Sequence, residues 1–426
     1  MSAPSPQSDR RTLRITVILL FTAWLVDYGD RLVINLVLPS LGTEFHLGRG
    51  EQGLIISVFF ASYALCQIPG GMIADRYGAK RVTCWALLGW SVFTALTGFA
   101  WSFAVLLVIR FAFGAAEGVF PPASMKVLVE RTTPEERMGA NGVIMSSNAL
   151  AGVLAPLLVA PLIAAFGWRS AFFSTAALGV FVLVAVRMWL PAPLPRTESQ
   201  TRTEPQTRTA RRPGGVLRQG VIWRFSAMMF GYSLIIWGLN TWVPSYLEGR
   251  GVSVAATGTL VAIPALAAVG ATVLGGRLSD RFGGHHRRVI VPAMTVAAVA
   301  LLLMAFSTTV TGFVVFVTLA SAAVSLCYMP IFAVPLGGLA AEHVGVGTAV
   351  IVLGGQVAGI VAPPVLGLIA DAFSFRVAFA FLVVGAAIAT VMALLTPQDA
   401  ASFRSATGLP DLPDLPDLPA PALEHS

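Results

Sequence analysis

Twelve apolar stretches, each long enough to cross a bilayer, succeed one another along this chain, and no other feature limits its possible folds so severely. A helix needs about 20 residues to span the hydrocarbon core. Segments near 13–39, 51–74, 82–100, 104–128, 138–165, 170–190, 221–247, 254–278, 288–307, 311–340, 346–371 and 376–396 approach or exceed that length. Lipid offers backbone groups no hydrogen bonds, so each must be a helix. Only 12% of the residues are charged, against about 25% in soluble domains. A polytopic, all-α membrane protein follows. The polar, basic stretch Met1–Arg14 runs into a full-length span with no small-residue cleavage site, so no cleaved signal peptide is expected.

Orientation follows from the basic residues. An inside N-terminus assigns 22 of the 28 Lys and Arg to the cytoplasm; only Arg49, Arg169, Arg250 and Arg376 fall outside, while Arg31 and Arg110 lie in the membrane. Both termini are then cytoplasmic. The net charge of +7 reflects loops lying on an anionic leaflet and not a nucleic-acid partner. Cys66, Cys84 and Cys327 sit in apolar segments at unrelated spacings and read as small core residues, neither disulfides nor metal ligands.

The chain is also a duplication. Ile34–Ser40 recurs as Leu239–Ser245, and Gly70–Gly78 as Gly275–Gly283, both offset by 205; Ala165–Phe172 recurs as Ala372–Phe379, offset by 207. Two halves of six spans follow, covering 13–190 and 220–396. A cytoplasmic tail of 1–12 precedes them, a flexible linker of 191–219 rich in Thr, Pro, Gln and Arg joins them, and a disordered tail of 397–426 with repeated Asp-Leu-Pro ends the chain.

Charge inside the membrane is costly and is kept where it faces protein or a watery cavity. Span one carries Asp27, Asp30, Arg31 and Asn35, spaced by three and four, on one helical face. Span four carries Arg110 and Glu117, seven apart. Their rise of about 10.5 Å is too long for a direct pair, so each needs a partner on another helix. A network of two arginines and two or three carboxylates is therefore expected inside the first half. The repeat supplies a control: at the matching offsets Asp27, Asp30 and Arg31 become Tyr232, Ile235 and Ile236, and Arg110 and Glu117 become Val317 and Val324. The architecture does not demand these charges. The second half keeps neutral polar groups, Tyr232, Trp237, Asn240, Tyr328 and Gln356, which ordinary helix packing explains one at a time and which together offer shape, stacking and hydrogen bonds.

Twelve spans in a six-plus-six parallel repeat, with the loop motif Gly71-x-x-x-Asp75-Arg76-x-Gly78-x-Lys80-Arg81 and its echo from Gly276 to Arg288, resemble the major facilitator superfamily over residues 13–396. That resemblance implies two six-helix bundles related by a pseudo-twofold axis, a central cavity lined by the first and fourth spans of each half, and halves that rock to open it to either side. Asp75, Arg76, Asp280 and Arg281 would then sit at the inner mouth as gating residues, serving the fold and topology more than substrate contact. Tyr28-Gly29-Asp30-Arg31, Tyr63 with Gln67, and Arg110 with Glu117 further resemble the anion:cation symporter branch. By that resemblance Asp30 and Glu117 carry protons, Arg31 and Arg110 meet the anionic group, Tyr28 and Tyr63 line the site, and Asn148 bonds substrate hydroxyls. Asp27 stands where the branch often has Asn and adds a second acid. The span-seven arginine of vesicular glutamate carriers is absent.

Physically, desolvation favours a carboxyl's neutral form and a neighbouring cation its ionised form, while arginine stays charged. Arg31 and Arg110 are expected to pair with Asp30 and Glu117 when the site is empty; protonating the acids frees the guanidinium groups for a bidentate grip on a carboxylate. His46, His285, His286, His343 and His425 fall in loops, at helix ends or in the tail, away from the cavity. There is no Walker loop, metal cluster or nucleophile with a base. The expectation is a monomeric cell-membrane carrier, not an enzyme and without cofactor or metal, that imports a small organic anion such as a sugar acid with protons. The alternative is a proton-coupled exporter of a drug or natural product, with Asp27 and Glu117 serving a cationic substrate; two in-membrane arginines disfavour it.

Overall fold

The computed structural model of the chain describes residues 10–194, 219–339 and 341–407. The first nine residues, most of the expected linker and the Asp-Leu-Pro repeat lie outside them. The described residues are helical throughout: α1 (Arg10–Glu44), α2 (Arg49–Tyr77), α3 (Ala79–Gly98), α4 (Phe103–Val129), α5 (Pro134–Phe166), α6 (Trp168–Trp189), α7 (Gly220–Gly249), α8 (Val254–Arg281), α9 (Arg287–Ala305), α10 (Val310–Ser325), α11 (Tyr328–Gly338), α12 (Ala341–Ala372), α13 (Phe375–Phe381), α14 (Val383–Leu395) and α15 (Ala400–Thr407). Val310–Gly338 and Phe375–Leu395 each act as one broken span, and ten of the described helices are long and apolar enough to cross a membrane. With α1, which carries the charged stripe, and α3, which begins at Lys80 and Arg81, they make the expected twelve, six in each half. Twelve crossings return the chain to the side it started from. Arg10 and Thr407 therefore share one face, the terminal face.

Local chemistry sets the helix ends. On the opposite face Ser102, Ser253, Thr309 and Ser374 each accept a backbone N–H of the first turn of α4, α8, α10 and α13. On the terminal face Gly78, between α2 and α3, has φ 87° and Gly283, its copy at offset 205, has φ 59°. A side chain is strained there, which accounts for the glycine in both copies of the loop motif. The break between α10 and α11 falls where Pro330 removes the N–H that would bond the carbonyl of Leu326.

The duplication is visible in packing. A Cβ on Gly70 would meet the backbone of Val119, and one on Gly275 the backbone of Leu326; the partners are offset by 205 and 207. The seam between halves repeats in the same way. Gly53 of α2 presses on the backbone of Pro363 and Pro364 in α12, and Gly258 of α8 on the carbonyl of Pro156 in α5, again at offsets of 205 and 207.

These seam contacts lie between mid-membrane and the face opposite the termini. Ser57 donates to the carbonyl of Ile360 at 2.5 Å, the rings of Phe60 and Trp237 meet edge-on at 4.5 Å, and Arg49 reaches Asp371 at 3.4 Å and the carbonyl of Ala370 at 3.1 Å. At the terminal face the charges of the loop motif stay within their own half. Asp75 pairs with Lys126 at 2.7 Å, and Arg76 lies over its neighbour Tyr77. The halves meet at one face, and at the other these motif charges form no latch across the halves among the described residues.

Candidate functional site

Glycines position the charged cluster. A Cβ on Gly114 or Gly118 of α4 would run into the carbonyls of Phe59 and Tyr63 in α2, so α4 lies directly on α2 and Glu117, between the two glycines, is carried to the middle of the bundle. There Arg31 Nη2 donates to Glu117 Oε2 and to Asp27 Oδ2, both at 3.0 Å. One guanidinium nitrogen thus serves two carboxylates, both wholly buried, while Arg31 is 9% exposed. The guanidinium also lies over the rings of Tyr63 at 4.6 Å, Phe59 at 5.3 Å and Tyr28 at 5.7 Å. An aromatic sleeve and two acids hold it.

Asp30, equally buried, points the other way and accepts a hydrogen bond from the hydroxyl of Thr94 in α3. Arg110 is 2% exposed, lies 5.0 Å from the Phe113 ring and 5.1 Å from the Phe172 ring, and leaves Nε and Nη2 without a hydrogen-bond partner. No carboxylate among the described residues comes within ion-pair distance of it. One oxygen of each acid, Asp27 Oδ1, Asp30 Oδ1 and Glu117 Oε1, is likewise buried and unpartnered. Buried polar atoms are normally satisfied, and those that are not mark a working site or unseen solvent.

The pairing matches the sequence expectation in joining Arg31 to Glu117 and differs from it elsewhere. Asp27, read there as an additional acid, holds Arg31 directly; Asp30 is bonded by a threonine; and Arg110 has no ion pair. The reason is helical spacing: Asp27 and Arg31 are four apart on one face, whereas Asp30 adjoins Arg31 in sequence and diverges by a hundred degrees. Thr94 was the residue missed. Its signal is a polar stripe in α3, Thr83, Ser91, Thr94 and Thr97, all buried.

Arg31 and Arg110 reach the seam between halves. They line a cleft with Phe59, Phe60, Phe113 and Trp237 that has room for about one water, some 10 Å³. The three acids stand behind them. Toward the terminal face Tyr28, Tyr232 and Tyr328 are half-buried, with the last two rings 5.7 Å apart. Asn148 and Gln356, at mid-membrane on α5 and α12, are half-buried and have carbonyl oxygens buried without partners. Asn240 lies farther along α7, half-buried and outside the cleft. Asp280 and Arg281 close α8 at the terminal face, far from the cluster in sequence and depth. Among the described residues no group of His, Cys, Asp and Glu is arranged to hold a metal.

A sequence profile of the Major Facilitator Superfamily matches residues 19–286 and 250–422. A protein of Cupriavidus necator named as a probable sulfoacetate transporter, SauU, is 30% identical over 85% of this chain and 90% of its own. A hexuronate transporter of Bacillus subtilis is 27% identical over 76% and 77%, and a probable galactarate/D-glucarate transporter, GarP, of Escherichia coli is 27% identical over 91% and 95%. In fold, the chain is similar to a bacterial homologue of the human lysosomal transporter Spinster, solved inward-facing and unoccupied, with a TM-score of 0.76 at 20% identity over 94% of this chain and 98% of that one.

Proposed function

The chain belongs to the major facilitator superfamily, and from that premise we propose that it is a proton-coupled symporter importing a small organic anion, a sugar acid or a similar carboxylate, across the cell membrane. The observation that carries this reading is the Asp27–Arg31–Glu117 cluster beside an Arg110 with no ion pair. Buried guanidinium groups repel cationic drugs and attract carboxylates, and the relatives named above as carriers of sulfoacetate, hexuronate, galactarate and glucarate all handle organic anions. The excess of Lys and Arg on the terminal side supports cytoplasmic termini. The conformation, shut at the opposite face, is then inward-facing.

The mechanism follows from who holds Arg31. With Asp27 and Glu117 both ionised, its guanidinium is occupied twice over. Protonating one acid withdraws an acceptor and turns it into a donor, and the freed nitrogen joins Arg110 in gripping the substrate carboxylate. Tyr28, Tyr63, Asn148, Tyr232, Trp237 and Gln356 supply ring faces and amides for the rest of the molecule. Asp30, held by Thr94, balances Arg110. Asp75, Arg76, Asp280 and Arg281 act at the cytoplasmic mouth, where partner exchange accompanies rocking.

The test is uptake of labelled acids into proteoliposomes under an imposed pH gradient. Accumulation of a sugar acid supports the reading; accumulation of none of a panel of sugar acids, sulfonates and monocarboxylates refutes it.

A further inference from the structure

The central cluster does not account for a second cavity, of about 350 Å³, that opens between the halves on the face opposite the termini and is lined by Arg49, Gln52, Ser245, Glu248, Gly249 and Phe375. It is more than large enough for a six-carbon acid, while the cleft at Arg31 in this conformation is not. The seam of Ser57 with Ile360 and Phe60 with Trp237 separates the two.

The lining has a defined polarity. At one end the Arg49 guanidinium stacks 4.5 Å above the Phe375 ring and spends Nη1 on the Ala370 carbonyl and Asp371. Among the described residues Nε and Nη2 have no hydrogen-bond partner, and that edge is the one shaped for a carboxylate. At the other end Ser245 Oγ and Glu248 Oε1 are buried with no partner. A carboxylate oxygen there repels a second anion and accepts from a hydroxyl. The pair of ends fits one chemistry: a negative head with a hydroxylated tail.

We propose that this cavity is an outer loading site for a hydroxylated monocarboxylate, the aldonic or uronic acid class, in which Arg49 takes the carboxylate and Glu248 and Ser245 take hydroxyls before the seam opens. The proposal rests on the anion-import reading for its purpose, and on the cavity alone for its existence. Asp371, itself 36% exposed, competes with the arriving carboxylate for the same guanidinium, so occupancy of the site loosens the contact that ties α2 to α12.

Gly249 lines the cavity, and a Cβ there meets nothing within 4 Å. Gly249→Cys is therefore a reporter for a membrane-impermeant thiol reagent, with the wild type giving the background from Cys66, Cys84 and Cys327. Gluconate is expected to slow labelling at a concentration about tenfold below that required of hexanoate, which has no hydroxyls, or of glucose, which has no carboxylate. Protection survives Arg31→Gln, which disables the central cluster. It also survives Asp371→Asn, which breaks the ion pair and leaves the guanidinium, and it is lost in Arg49→Gln. Equal protection by all three compounds, loss of protection in Arg31→Gln, or equal loss in Asp371→Asn and Arg49→Gln overturns the proposal. Proton-driven accumulation by the wild type is read alongside. Protection without accumulation refutes the transport reading and leaves the site standing; accumulation without protection refutes the site alone.

Discussion

Glu117→Gln is the substitution that bears most directly on coupling. The cluster contains three carboxyl groups and two guanidinium groups, so the empty site carries no net charge when one acid is protonated. Adding a monocarboxylate restores neutrality only if one further proton enters. Neutral forms cross a low-dielectric barrier at the least cost, and one proton per unit of substrate charge is the expected stoichiometry. A pH difference of one unit is worth 1.36 kcal/mol per proton, or about tenfold accumulation of a monoanion, independent of membrane potential. Glu117→Gln removes a titrating group while keeping an acceptor and adding a donor beside Arg31. The variant should exchange labelled for unlabelled substrate near the wild-type rate but accumulate it close to onefold, as read by tracer uptake into proteoliposomes with pH and potential clamped separately. Asp27→Asn acts on the same guanidinium, so the double variant should be little worse than either single one. Tenfold accumulation persisting in Glu117→Gln refutes Glu117 as the acid that takes the coupling proton, and wild-type accumulation that follows the potential instead of the pH difference refutes the charge argument.

Three further outcomes follow from the packing. Gly53→Val and Gly258→Val, which drive a side chain into Pro363–Pro364 and Pro156 at the two equivalent seam contacts, should each favour the form open at the face opposite the termini, raising the labelling rate of a cysteine placed at Ser57. Thr94→Val leaves the buried Asp30 without its hydroxyl donor and should cost about 1.5–3 kcal/mol in thermal stability if Asp30 is ionised, with Thr94→Ser restoring it; no loss on removing the hydroxyl counts against that pairing. At the terminal face His286 is buried at the start of α9, 2.9 Å from Thr396 Oγ1, and burial pushes it down to about 4. Its folded value lies below the unfolded one, so the unfolded state binds the extra proton and stability falls as pH drops from about 6.5 toward 4, by up to about 3 kcal/mol. Thermal unfolding of wild type and His286→Gln at pH 7.5 and 5 checks this, since the variant should lose less on acidification.

Much of the fold was legible because lipid allows only helices and because the halves repeat; Gly53 and Gly258, like Gly70 and Gly275, play matched parts that the offset of 205 already paired. The membership of the cluster was legible too, since charge in hydrocarbon is conspicuous. Its wiring was not. Which acid meets Arg31 depends on the turn of α1 and on how near Gly114 and Gly118 let α4 come, and helix–helix distance leaves no mark in a hydropathy pattern. Thr94 was harder still, because a threonine in a membrane helix usually bonds its own backbone, as Thr97 does with Phe93. The outer cavity was invisible for another reason: Arg49, Ser245, Glu248 and Phe375 come from three helices of two halves and are brought together only by the packing of those halves.

The confinement of charge to one half has a mechanical consequence. Every ionisable group of the cluster rides on α1 or α4, and the hydroxyl that steadies Asp30 on α3, so in the proposed rocking the whole cluster would travel with the first half. What the second half brings to the cleft of Arg31 and Arg110 is Trp237, an aromatic surface that leaves room for about one water in this conformation. Drying the cleft strengthens every interaction of the guanidinium groups and makes an unbalanced charge there costlier. On the proposed proton-coupled symport, a site holding anion and proton together would close while one holding the anion alone would resist, and coupling would need no signal passed between the halves.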